Sequence, residues 1–121
     1  MNEIKEYTEK MFEDIKHIDE NGSEYWSARE LMPLLEYKKW ENFHKVIKEA
    51  KTACVRSNLN VYEQFPEVRK LSIAGNGKKQ YIVDYKLSRY ACYLIVQNGN
   101  PKKQSIALGQ TYFAIQTRKL V

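Results

Sequence analysis

SARELMPLLEYKKWENFHKVIKEAKTACVR, Ser27–Arg56, is the stretch whose reading decides the fold. It opens on Ser27-Ala28-Arg29-Glu30, a capping box in which the serine hydroxyl accepts from the amide of Glu30 and the glutamate carboxylate reaches back to the amide of Ser27. A helix is therefore predicted over 27–35, carrying Leu31, Leu34 and Leu35. Pro33 removes an internal helix bond and crowds the preceding turn, so this helix is expected to be short or bent. Glu36-Tyr37-Lys38-Lys39 reads as a tight basic turn. From Trp40 to Arg56, Phe43, Val46, Ile47, Ala50 and Cys54 recur at three- and four-residue steps, with Lys45, Lys48, Lys51 and Arg56 on or beside the other side. That spacing predicts an amphipathic helix with a basic outer face.

Working downstream, residues 57–70 read as a connection broken by Asn58, Asn60 and Pro66, with Phe65 anchoring it to the core. Residues 71–74 and 80–85 alternate as strands around Gly75-Asn76-Gly77-Lys78-Lys79, giving a hairpin with two lysines at its tip. Ser88 caps an apolar helix over 90–96, and Gly99 is expected to close it in the left-handed conformation. Pro101 opens a last helix over 102–119 that buries Ile106, Tyr112, Phe113 and Ile115. Upstream, Ile4, Tyr7, Met11 and Phe12 mark a short amphipathic helix over 3–14. Asn21-Gly22, between 15–19 and 24–26, predicts a first hairpin. The sum is an α+β chain: one compact domain over 1–121 with short helices, two β-hairpins, a winged-helix-like helix pair and a C-terminal helical hairpin. The last helix meets no terminating Gly or Pro, so the protein is expected to continue past Val121.

A chain of 121 residues with 43% hydrophobic and 12% aromatic residues closes one modest core. No apolar run approaches a membrane span and no basic, apolar leader opens the chain, which predicts a cytoplasmic protein away from membranes. Cys54 and Cys92, far apart and both in helical segments, are expected to be reduced, buried thiols. The net charge of +5 is uneven: residues 1–30 hold nine acids against four bases, and residues 31–121 hold sixteen bases against six acids. A strongly basic body behind an acidic start attracts polyanions, and phosphate contacts give such binding its salt sensitivity.

A helix pair joined by a basic turn and followed by a lysine-tipped ribbon is the order of a winged helix-turn-helix reader. The residues predicted to meet DNA are Lys38, Lys39, Trp40, Lys45, Lys78, Lys79, Arg89, Lys102 and Lys103. Trp40 and Tyr37 flank two lysines in a way that suits stacking on bases. Lys102 and Lys103, in the first turn of a helix, oppose its dipole unless a phosphate binds there. No cofactor and no metal site are expected: His17 and His44 lack ligand-spaced partners, and no nucleophile or phosphate-cradling motif occurs. One catalytic alternative is a magnesium-dependent nuclease built on Asp84-Tyr85-Lys86, with Glu67 as a second carboxylate.

Longer blocks carry a resemblance. Tyr25-Trp26-Ser27-Ala28-Arg29-Glu30-Leu31, Leu35-Glu36-Tyr37, Leu87-Ser88-Arg89-Tyr90-Ala91-Cys92-Tyr93-Leu94, Val96-Gln97-Asn98-Gly99 and Gly109-Gln110-Thr111-Tyr112-Phe113-Ala114-Ile115-Gln116-Thr117-Arg118 resemble the DNA-damage-inducible protein D family. The front part is also similar to the Bro-N group of viral and phage antirepressor-type domains. The resemblance implies a bacterial or phage protein of the damage (SOS) response without known catalytic residues, acting on DNA or on a DNA-bound partner such as a strand-exchange recombinase filament, and it implies that 1–121 is the N-terminal part of a longer protein. Glu36 departs from the group, which usually places a glycine before the tyrosine. Two function classes follow: a DNA-contacting module, and a protein-interaction or homodimerisation module gripping through the apolar helices near 88–118.

Overall fold

The computed structural model describes residues 10–119, with side chains as far as Ala114. The predicted helix over 3–14 therefore falls partly outside the described residues, as does the burial of Ile115. Its end, 10–14, is helical. There Phe12 is buried, and its carbonyl accepts from Nε1 of the buried Trp26 at 2.9 Å.

The first hairpin forms as read. Strand β1 (His17–Ile18) pairs antiparallel with β2 (Glu24–Ser27). Asp19 Oδ1 accepts from the amides of Asn21 and Ser23 across the turn. Helix α1 (Ala28–Leu34) follows at once. The capping box is half formed, because Ser27 Oγ accepts from the Glu30 amide at 3.4 Å while the Glu30 carboxylate turns away to His17 Nε2 at 2.5 Å. Pro33 lies inside α1 and the helix ends at the next residue, short as expected. The amides of Glu36 and Tyr37 then return to the carbonyls of Pro33 and Met32. That closure puts Glu36 at φ 65, the conformation that favours glycine.

Helix α2 (Trp40–Arg56) has the predicted bounds, with Phe43, Ile47, Ala50 and Cys54 fully buried. The connection read over 57–70 is corrected. Val61–Gln64 forms one helical turn, α3, capped by Asn60. Glu67–Ile73 is a single strand, β3, and Lys79–Leu87 is β4, so Lys79 belongs to the strand and not to the loop. Long-range pairing overrode local sequence here, with Glu67 opposite Tyr85 and Ile73 opposite Lys79. The sheet runs β1-β2-β4-β3, all antiparallel.

Ser88 caps α4 (Arg89–Gln97) by accepting from the Ala91 amide, and α5 (Gln104–Lys119) completes the helical hairpin. Two details differ from expectation. Gly99 does not take positive φ; a Cβ there would lie 2.7 Å from Ile106 Cδ1, the end of a flexible side chain, so a larger residue would require Ile106 to shift. The last helix starts at Gln104 because Asn100 ties the amides of Lys102 and Lys103 into a turn of its own. Cys54 and Cys92 are free and buried. Burial raises the thiol pKa of both, that of Cys92 strongly. Ala91, Cys92, Leu94, Ile95, Val96, Ile106, Tyr112 and Phe113 all lie in the core, so the apolar residues behind the protein-grip reading face inward.

Candidate nucleic-acid interface

Two elements put charge outside the core. The first is α2. Its positions 41, 45 and 49 form a row one turn apart, Glu41, Lys45, Glu49, in which the predicted contact Lys45 stands between two acids. The neighbouring row, His44, Lys48 and Lys51, carries no acid, and two of its members reach the sheet at Tyr85. His44 Nε2 meets the Tyr85 hydroxyl at 3.0 Å, and Lys51 Nζ meets it at 3.4 Å and lies 4.8 Å from the ring centre. Burial first, then Lys48 and Lys51, hold the His44 pKa below its ordinary value, which keeps the imidazole neutral at pH 7. Burial and the nearby Glu67 carboxylate push the Tyr85 phenol up.

The second element is the β3–β4 ribbon. Beyond Tyr85 only two strands remain, since β2 pairs with β4 at Lys86 and Leu87 alone. This ribbon carries Arg69, Lys70, Lys78 and Lys79, all exposed, and no acid between Glu67 and Asp84. Its root is fixed by Asp84, which is 1% exposed and accepts from Ser27 Oγ at 2.6 Å, Lys70 Nζ at 2.6 Å, the Arg29 amide at 2.9 Å and its neighbour's amide at 2.8 Å. Burial alone would raise the pKa of this carboxyl. The bonds from Lys70, Ser27 and the two amides outweigh it and hold the carboxyl below its usual range. Lys86, its companion in the nuclease reading, instead extends over the Tyr25 ring. The described residues contain no group of three or more His, Cys, Asp or Glu placed to hold a metal. With four donors on it, Asp84 is a structural staple between ribbon and helix pair.

Arg29 joins the two elements. Its Nε donates to the Val83 carbonyl at 2.8 Å and its guanidinium lies 3.7 Å from the centre of the Trp40 ring. Trp40 also stacks on His44 at 5.2 Å, so its ring is engaged within the protein and not offered openly to bases. Lys38 and Lys39 are exposed in the α1–α2 turn, and Lys103 is drawn to the same place. Lys103 Nζ reaches the Glu36 carbonyl at 3.3 Å and lies 4.1 Å over the Tyr37 ring, with exposed Lys102 beside it in the chain. Lys103 is thus brought to the turn that carries Lys38 and Lys39, with Lys102 next to it in the chain, while Lys78 lies in the ribbon's loop and Lys79 opens β4.

Arg89 sits elsewhere. It is 8% exposed, pairs with Glu24 through Nε at 2.5 Å and Nη2 at 2.8 Å, and covers Trp26 and Tyr112. Nε and Nη2 are thus paired in the interior, Nη1 is buried without a hydrogen-bond partner, and so little of the guanidinium is exposed that it offers a phosphate almost no surface. Arg29, His44, Lys48, Lys51 and Arg69 were not among the predicted contacts. The acid-free row of α2 was visible as a pattern, but nothing local showed that it borders the ribbon. Lys51 and Arg56 also edge an open cleft of about 480 Å³, which Val55, Val61, Tyr62, Phe65 and Glu67 line.

Helix pair, four-stranded antiparallel sheet, projecting ribbon and exposed cations define a small α+β domain. The chain belongs to the BRO family, N-terminal domain, which matches residues 14–114. It is similar to DNA damage-inducible protein D of Escherichia coli (strain K12), at 50% identity over 108 residues, covering 89% of this chain and 39% of that protein. It therefore spans about two fifths of that relative's length. No solved structure matches it. No helix among the described residues is long and apolar enough to cross a membrane.

Proposed function

We propose that this domain is a non-catalytic DNA-binding module of the bacterial DNA-damage response. It meets DNA phosphates with the ribbon cations Arg69, Lys78 and Lys79, the α2 row Lys48 and Lys51, and the turn group Lys38, Lys39, Lys102 and Lys103. The observation that carries the reading is the ribbon: a two-stranded projection with cations and no acid, anchored to the helix pair by a carboxylate that no ligand can reach. The damage-response setting rests on the 50%-identical relative, a DNA damage-inducible protein. Lys45 takes a minor part because Glu41 and Glu49 screen it, and Arg89 takes none.

Binding of this kind is electrostatic and weakens steeply with salt, the slope counting the phosphates neutralised. Gel shifts on duplex DNA at about 50 and 200 mM salt should show strong loss across that range. Lys78→Ala/Lys79→Ala should flatten the salt slope by about 1 for each lysine in contact. Absence of any shift at about 50 mM, where such attraction is strongest, refutes the proposal.

A further inference from the structure

The ribbon carries more than charge. Strand pairing fixes its two faces: Arg69, Leu71 and Ile73 of β3 lie on the same face as Lys79, Tyr81 and Val83 of β4, with Leu71 opposite Tyr81 and Ile73 opposite Lys79. On this face Leu71 is 54% exposed, Ile73 69% and Tyr81 70%. Both edges beyond Tyr85 are unpaired. Lysines guard such edges against pairing with other chains, which accounts for part of the charge. The Leu71–Tyr81 pair holds the two strands together across the ladder. Neither reason accounts for three large apolar side chains on one open face, rimmed by Arg69 and Lys79.

We propose, resting on the DNA-binding reading above, that the ribbon lies in the major groove of duplex DNA with this apolar face against the base edges. Two strands about 4.8 Å apart, with their side chains, make a body roughly 10 Å wide. That fits the major groove, about 12 Å across, and exceeds the minor groove at about 6 Å. In the major groove the apolar groups exposed by the bases are thymine methyls, which Leu71, Ile73 and Tyr81 meet, while Arg69, Lys78 and Lys79 reach the flanking phosphates. The apolar face reads T-containing steps and the cations hold the ribbon in place.

The test uses the whole chain, a duplex of about 20 base pairs containing A·T steps, and the same duplex with every thymine replaced by uracil. Leu71→Thr/Tyr81→Thr keeps β-forming residues at exposed positions, and thermal melting checks that it folds as the wild type does. Its affinity for the thymine duplex should fall on the order of tenfold with the salt slope unchanged, unlike the lysine variant. Uracil should weaken the wild type and leave the double variant unaffected. If the wild type binds DNA but the double variant binds equally well, or uracil changes nothing, the groove proposal is overturned while the DNA-binding reading stands. If the wild type binds no DNA at all, the underlying reading fails instead. A wild type that is dimeric and a double variant that is monomeric would assign the face to a second copy, which also overturns the proposal.

Discussion

The two hairpins start from the same local signal, a glycine turn between short strands, and end in opposite roles. Around β1–β2 the basic side chains find acidic partners: Lys16 reaches Glu13 at 2.9 Å and Glu24 at 3.7 Å, His17 reaches Glu30, and Arg89 reaches Glu24. In β3–β4 only Lys70 is paired, to Asp84, while Arg69, Lys78 and Lys79 have no ion pair among the described residues. The first hairpin is neutralised and built into the body; the second is left charged and held only at its root. What separates the two hairpins is whether their basic side chains are answered by acids, which the turn sequence does not encode.

The strongest way to break this comparison is to remove a charge from the answered side. Arg89→Ala strips the two-bonded partner from Glu24, leaving it only Lys16 at 3.7 Å among the described residues, and uncovers Trp26 and Tyr112. Loss of one member of a buried pair costs 3–5 kcal/mol, and Glu24 retains 27% side-chain exposure, which favours the low end, about 3 kcal/mol. Urea denaturation should show this loss. A stability within about 0.5 kcal/mol of wild type would mean that the pair contributes nothing and that the two hairpins do not differ in the way described.

The next probe acts at the ribbon root. Asp84→Asn keeps the shape and removes the charge that Lys70, Ser27 and two amides address, and should cost about 2 kcal/mol. The same carboxyl predicts a pH dependence. Its folded pKa lies below the ordinary value of 3.8, so its stabilisation is complete above the unfolded pKa and is lost as pH falls through the folded one. Wild type should therefore lose stability below about pH 4 more steeply than Asp84→Asn, as acid melts would record. Parallel acid profiles would remove Asp84 as the staple.

Elements with a repeating apolar row were readable from the sequence. Helix α2 matches its predicted bounds because Phe43, Ile47, Ala50 and Cys54 mark one face and nothing competes with it. Ser27 and Ser88 announced their helices because a cap needs only a hydroxyl and the next turn's amides. β3 escaped notice over 67–70 because five of its seven residues are exposed, leaving no alternation between inside and outside. The site was legible as charge but not as arrangement. Arg89 looked like any surface arginine until the sheet brought Glu24 to it across 65 residues of chain, and Lys103 looked like a free helix-start cation until α5 set it on Tyr37. Pairing across long sequence separation determines which charges stay free, and single-sequence patterns carry no trace of it.

The third turn sharpens the comparison with the smallest effect. Gly22 and Gly77 both take φ 79 in the hairpin turns, where glycine meets no penalty, but the helix-pair turn puts Glu36 at φ 65. Left-handed backbone costs a side-chain-bearing residue of order 1 kcal/mol or more. The Glu36 carboxylate recovers part of this by accepting from Ser105 Oγ at 2.5 Å in an exposed bond worth about 0.5 kcal/mol. Glu36→Gly should therefore stabilise the domain by roughly 0.5–1 kcal/mol, seen as a melting temperature raised by a few degrees. The substitution also deletes an acid from the turn that carries Lys38 and Lys39 and that Lys103 reaches. If those cations touch DNA, affinity at low salt should rise modestly along with stability. If the ribbon makes the contact alone, only stability should change. A lower melting temperature would show that the Ser105 bond outweighs the backbone strain.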